Sequence, residues 1–517
     1  MAGAPPPVLT GPAGWSRRGA LGGGLALALA PRAARTAVPT LTQQSFVRAP
    51  VGLYRGRQVR AADSRSAHEF LGIRYGRARR FMASAAVTAA EQWDETGTHF
   101  GPPCPQPGKL GEAGSEDCLF LNVWTPPDFA GHRGRGAPVM VYFHGGAYSA
   151  GSVTDPLNHG ALLAERGEVV VVTVNHRLNA LGYLYLPERF PDSGNLGQID
   201  LIEALRWVRR NIAAFGGDPG NVTLFGQSGG GAKIATLMAM PAARGLFHKA
   251  ITMSGQQVTA SGPLNAARRA QAFLARLGPG ADPAAAPVEQ LVAALGATDP
   301  VLGGGVYMGP VLDMRNLLRH PFWPDAAPQG NAIPLMLGNT VMETRAFYGS
   351  GHRVLQALDW SNLAERMGPE LRVDISPPWV VAQFRARYPE AAPVELFHRM
   401  VTAGRSWRGQ VEEAEARARA GHPAFVYQLD FEQAKHMDDI GLAFGTFEDP
   451  TPARQAMSAR VMAAFVRFAR TGDPGWPAYD LRRRATMVFD TRSRVESDPR
   501  RWERELFARV PYIQPGS

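Results

Sequence analysis

Val222-Thr223-Leu224-Phe225-Gly226-Gln227-Ser228-Gly229-Gly230-Gly231-Ala232-Lys233-Ile234 is the stretch that decides the fold. Residues 222–225 read as a short buried strand, and residues 232–240 as a helix. Between them lies G-x-S-x-G, a serine bracketed by glycines. A serine on a tight strand-to-helix turn projects its hydroxyl out of the chain. Small flanking residues let the backbone turn without clashes. The helix that starts there aims its first N–H groups at developing negative charge. Ser228 is therefore the candidate nucleophile, and the five-residue pattern draws its weight from the strand before it and the helix after it.

Working outward, the same alternation recurs. Residues 138–143 (PVMVYF), 168–174 (EVVVVTV), 249–253, 333–338, 424–429 and 486–489 read as buried strands. Residues 200–214 place Leu201, Leu205, Val208 and Ile212 on one helical stripe. Strands alternating with helices predict an α/β fold with a mostly parallel sheet and helices on both faces. Active groups then belong at the carboxyl ends of strands. His144-Gly145-Gly146-Ala147 directly follows the strand at 138–143. A glycine-rich loop there can present backbone N–H groups to an oxyanion, joined by the N–H of Gly229. Long helical stretches near 263–295 and 354–419 predict insertions that cover the active edge of the sheet.

Composition narrows the function classes. With 45% hydrophobic and 19% charged residues in 517, the chain is neither disordered nor fibrous. Two cysteines cannot build a disulfide-dense scaffold or a four-thiolate zinc site. The net charge is +10, and four arginines (Arg17, Arg18, Arg32, Arg35) sit in an acid-free N-terminal stretch, so without it the charge is +6. The remaining bases are interleaved with acids, which argues against a nucleic-acid-binding stripe. Arg17-Arg18 before a short apolar run, then small residues, fits a twin-arginine export signal over 1–37. The other reading is an unstructured tail. No run of 18 apolar residues occurs, so no membrane anchor is expected. An exported protein meets an oxidising compartment, where Cys104 and Cys118, with 13 residues between them, could close a disulfide. Two buried thiols are the alternative.

Several motifs together resemble one family, the type-B carboxylesterases, which includes the para-nitrobenzyl esterases, the cholinesterases and the non-catalytic neuroligins. They are Gly72-Ile73-Arg74-Tyr75, Cys104-Pro105-Gln106, Ser115-Glu116-Asp117-Cys118-Leu119-Phe120-Leu121-Asn122-Val123-Trp124, His144-Gly145-Gly146 and Asn175-His176-Arg177-Leu178. Phe215-Gly216-Gly217-Asp218-Pro219, the serine turn, Gly309-Pro310-Val311-Leu312-Asp313 and Trp476-Pro477-Ala478-Tyr479 complete the set, which spans about 46–513. The resemblance implies an α/β-hydrolase fold over 38–517, with cap insertions near 258–330 and 345–423. It also implies a catalytic triad in the chain order Ser, Glu, His. Glu343, just past the strand at 333–338, looks like the family's acid, in preference to Asp313. His436, after the strand at 424–429, looks like its histidine, followed three residues later by Asp439. The implied oxyanion donors are Gly146, Ala147 and Gly229, with Ser254 as a supporting serine.

The sequence also departs from the family. Gln227 stands where many members carry Glu beside the nucleophile, and the Cys104–Cys118 loop holds no aromatic residue. Both departures argue against cationic esters and against a cholinesterase. Lys233, five residues past Ser228, reads as structural, with a catalytic lysine as the alternative. The expected activity is hydrolysis of small to medium, uncharged esters through an acyl-enzyme, with no metal or organic cofactor. The alternative is a neuroligin-like binding protein on the same fold. Oligomeric state is not legible.

Overall fold

The computed structural model describes residues 44–60, 66–88, 98–108, 114–129 and 136–514. The expected export signal over 1–37 lies outside the described residues. Twelve strands form one sheet. In chain order they are β1 (Gln44–Ala49), β2 (Gly52–Arg60), β3 (Ser66–Arg74), β4 (Phe120–Thr125), β5 (Ala137–Phe143), β6 (Val170–Val174) and β7 (Gly217–Gln227). They continue as β8 (Lys249–Met253), β9 (Leu335–Thr340), β10 (Ala424–Leu429), β11 (Ala485–Phe489) and β12 (Arg494–Ser497). The spatial order is β1-β2-β3-β4-β6-β5-β7-β8-β9-β10-β11-β12. From β6 to β11 every pairing is parallel. The outer strands on both sides pair antiparallel.

The seven central strands are the seven read from the sequence, because burial on both faces makes them continuous apolar runs. Val139, Val141 and Phe143 of β5 point into one core, and Met140 and Tyr142 into the other. Three outer strands, β1, β2 and β12, escaped the sequence reading for the opposite reason. In β1, for instance, exposed and buried residues alternate strictly, with Arg48 on the wet face. β3, with five consecutive buried residues, and β4, fully buried, entered the sequence reading only through family motifs.

Helix α1 (Leu196–Asn211) lays Leu201, Leu205 and Val208 on the first core. Helix α2 (Gly229–Leu237) begins at Gly229, three residues earlier than the sequence predicts. The glycines are inside the helix because nothing larger fits: a methyl group at Gly230 would stand 1.9 Å from the Phe143 carbonyl oxygen. On the second face, the helix at Pro452–Thr471 buries Met457, Val461, Phe465 and Phe468. Each such side chain contributes about 1.5–3 kcal/mol by leaving water.

Between β9 and β10 the chain forms helices at Leu363–Leu371, Pro377–Arg387, Pro393–Val401 and Arg408–Arg419. The last two are joined by a π-helical turn, Thr402–Trp407. This insertion has its own core, with Leu371, Phe384, Phe397 and Met400 packed against Phe507. Cys104 and Cys118 are drawn together, but as buried free thiols and not as the expected disulfide. A hydrogen bond to Cys104, together with burial, holds the Cys118 thiol well above its ordinary range.

Candidate active site

Strand β7 ends at Gln227, and Ser228 is the hinge into α2. Its φ of 54° and ψ of −122° lie where a side chain is strained, at a cost of order 1–3 kcal/mol. Close contacts hold it there. Ser228 N donates to the Met253 carbonyl at 2.7 Å. A Cβ on Gly255 would stand 2.0 Å from the Ser228 carbonyl oxygen, so only glycine fits beneath the turn.

Glu343 opens the turn after β9, two strands away from β7, and is fully buried. Its Oε1 accepts from Ser254 Oγ at 2.6 Å and from Thr340 N at 2.8 Å. Its Oε2 accepts from His436 Nδ1. His436 follows β10, is 5% exposed, and donates its backbone N–H to the Glu343 carbonyl at 3.3 Å. A carboxylate can only accept, so the bonded Nδ1 carries the proton and Nε2 presents a lone pair. Nε2 is buried and has no protein partner among the described residues. The Phe347 ring packs 4.7 Å from the imidazole, centroid to centroid. Among the described residues no hydrogen bond joins Ser228 Oγ to His436 Nε2. Contacts of this kind commonly tighten only when substrate is bound.

Asp439 is buried behind this pair, and its Oδ2 accepts from Tyr427 OH at 3.1 Å. Burial, reinforced by the negative charge of Glu343, pushes its carboxyl up to about 7. Gln227 is buried with its amide oxygen against Gly145: a Cβ there would lie 2.9 Å from it, and 3.4 Å from Ser228 Cβ. The glycine loop therefore abuts the serine.

The loop's peptides are fixed through their carbonyls. A trans peptide points its C=O and N–H in opposite directions, so holding one aims the other. The Gly145 carbonyl accepts from His144 Nδ1 at 2.9 Å, which turns the Gly146 N–H the other way. The Gly146 carbonyl accepts from Ser149 N at 3.2 Å and Ala150 N at 3.0 Å, which aims the Ala147 N–H. The Ser228 carbonyl accepts from Ala232 N at 3.1 Å, which aims the N–H of Gly229. The positive φ of Gly146 (84°) and Ala147 (53°) belongs to the same arrangement.

The sequence reading did not single out Thr340, Tyr427, Phe347 or the ring of His144 as parts of this site. The first acts through its backbone, and the others through contacts that no local motif encodes. Asp313, set aside as structural, accepts from Arg315 N, Asn316 N and Leu317 N and so closes a turn. No helix of the described residues is long and apolar enough to cross a membrane. Among the described residues, no three His, Cys, Asp or Glu side chains gather to hold a metal.

A model of the carboxylesterase family matches residues 43–504. The para-nitrobenzyl esterase of Bacillus subtilis is 32% identical over 491 residues, covering 87% of this chain and 96% of that protein. A probable N-octanoylanthranilate hydrolase of Rhodococcus erythropolis is 33% identical over 84% of this chain and 95% of its own length. The crystal structure of a Geobacillus stearothermophilus carboxylesterase superposes with a TM-score of 0.77 at 33% identity, covering 89% of this chain and 99% of that one. A para-nitrobenzyl esterase structure gives 0.74 at 32% identity, covering 90% and 100%. The fold is thus the expected α/β hydrolase, and nothing in these likenesses favours the non-catalytic alternative. On a family match that spans nearly the whole described chain, this protein belongs to the carboxylesterase family.

Proposed function

We propose that the chain hydrolyses carboxylic esters through an acyl-enzyme formed on Ser228. The observation that carries this reading is the chain of hydrogen bonds Ser254–Glu343–His436, which leaves the Nε2 lone pair of His436 free. His436 takes the Ser228 proton as the hydroxyl attacks the ester carbonyl. The N–H groups of Gly146, Ala147 and Gly229 receive the oxyanion, and each such donor is typically worth about 2.7–4 kcal/mol in the transition state. His436 then protonates the departing alcohol, and water activated by the same ring releases the acid. Glu343 fixes the imidazole tautomer and stabilises its cation.

The helices inserted near 258–330 and 345–423 act in this reading as a cap over the active edge. Export by the segment at 1–37 would deliver the chain to an oxidising compartment, where the adjacent Cys104 and Cys118 thiols would close to a disulfide. Ser228→Ala tests the reading. Turnover of p-nitrophenyl butyrate is expected to vanish with the melting temperature unchanged. Retained turnover would remove the nucleophile assignment.

A further inference from the structure

Lys233 is a buried cation that the mechanism above does not use. It lies on α2, one and a half turns past Ser228, and is 0% exposed. Its ammonium donates to the carbonyl oxygen of His144 at 3.2 Å and stands 5.7 Å from the centre of the Tyr148 ring. Among the described residues no carboxylate pairs with it. The groups that face it are neutral or basic: Tyr148, His144 and, stacked on His144 at 4.7 Å and 25°, His176. Burial, with the lysine charge beside it, pushes His144 down to about 3, and the same causes hold His176 well below its ordinary range. Burial brings Lys233 itself down to about 7.

A buried unpaired charge destabilises a fold, and an apolar side chain of similar volume would pack there at lower cost. What Lys233 touches suggests a reason for keeping it. The His144 carbonyl belongs to the peptide that enters the glycine loop, and His144 Nδ1 holds the next carbonyl, that of Gly145. Two consecutive peptides are thereby pinned from behind, one by the nucleophile's own helix. The loop that would bind the oxyanion and the serine that would create it are tied to each other through this one side chain.

We propose that Lys233 is a positioning residue of the oxyanion loop, acting in its protonated form by holding the His144–Gly145 peptide and placing a buried positive charge behind the developing oxyanion. The inference rests on the ester-hydrolase reading but can fail independently of it.

Two charge requirements then oppose each other. His436 must be neutral to accept a proton, and Lys233 must be charged. Wild-type kcat/KM falls with rising pH above neutrality as Lys233 loses its proton. Stability carries the opposite sign. The folded lysine titrates below its unfolded value of about 10.5, so the unfolded chain binds more protons between about 7 and 10.5, and stability rises with pH across that window.

The test is Lys233→Met, assayed on p-nitrophenyl butyrate from pH 5.5 to 9.5 alongside thermal melting at pH 6. The expected variant melts higher than wild type. Its kcat at pH 7 is lower by about 10-fold or more, its KM changes by less than about 3-fold, and the falling limb is gone. Unchanged kcat, a surviving falling limb, or a lower melting temperature overturns the proposal. Should the variant fail to fold, the wild-type profile decides: a falling limb between pH 7 and 9 supports it, and a plateau there overturns it. Loss of turnover in Ser228→Ala beside an indifferent Lys233→Met would leave the esterase reading standing and remove this one alone.

Discussion

Glu343→Gln is the substitution whose outcome the structure determines most tightly. Ser254 Oγ and Thr340 N both donate to Oε1, at 2.6 and 2.8 Å. An amide at this position must therefore put its oxygen there, because its NH2 group cannot accept. The NH2 group is then forced into the place of Oε2, facing His436 Nδ1. An amide donor against Nδ1 holds a lone pair on that nitrogen and moves the ring proton to Nε2. The imidazole then cannot take the Ser228 proton, although no atom has moved by more than a bond-length difference. A wrong tautomer of this kind costs about 10⁴-fold in kcat, or about 5.5 kcal/mol of barrier. The assay is steady-state hydrolysis of p-nitrophenyl butyrate, with the pre-steady-state burst of p-nitrophenol to separate acylation from deacylation. The burst is expected to disappear, because acylation becomes slow. A kcat within 10-fold of wild type, in a protein that melts as wild type does, would refute the assigned roles of Glu343 and His436.

Three further outcomes follow from the same geometry. Ser254→Ala removes one hydrogen bond to the Glu343 carboxylate and leaves Thr340 N, so kcat/KM should fall by about 10-fold, in keeping with 1.5 kcal/mol or more for a bond to a charged group; an unchanged value would show that Thr340 alone suffices. Gly230→Ala places a methyl 1.9 Å from the Phe143 carbonyl oxygen, with the three nearest atoms all backbone of Phe143 and His144 and no side chain among them able to yield. It should lower stability by about 3 kcal/mol or more, measured by urea unfolding, and a variant as stable as wild type would contradict the close packing of α2 on β5. Asp439 titrates near 7 in the fold, above its unfolded value, so its protonated form contributes stability that is present at low pH and lost as pH rises through 7. Asp439→Asn should therefore raise the melting temperature at pH 8 more than at pH 5, and an equal shift at both would place the charge elsewhere.

How far the sequence reaches depends on what kind of physics holds each part. The strands at 249–253 and 424–429 are legible to the residue because all but one residue of each is buried, so they read as short apolar runs. The start of α2 is not, since Gly229 to Gly231 read as loop by propensity and are helical because the neighbouring backbones leave no room for Cβ atoms. Ser228 is legible as a candidate nucleophile from a local pattern with a local cause. Glu343 and His436 came from resemblance, because what unites them is a contact between residues 93 apart, and no spacing rule encodes that. The fixing of the loop's N–H groups through the carbonyls of Gly145 and Gly146 lies wholly in the backbone and leaves no trace in residue type beyond the glycines. Lys233 is the opposite case: its identity was plain, and its meaning depended on a burial that a helical periodicity cannot report.

The central claim is that Ser228 is made nucleophilic by His436. Incubation with an alkyl fluorophosphonate, followed by peptide mass mapping of wild type and of His436→Ala, tests it most directly. The account predicts one adduct on the peptide carrying Ser228 in the wild type, with labelling slowed by orders of magnitude in the variant. An adduct on another residue, or equal labelling rates in the two proteins, would contradict it.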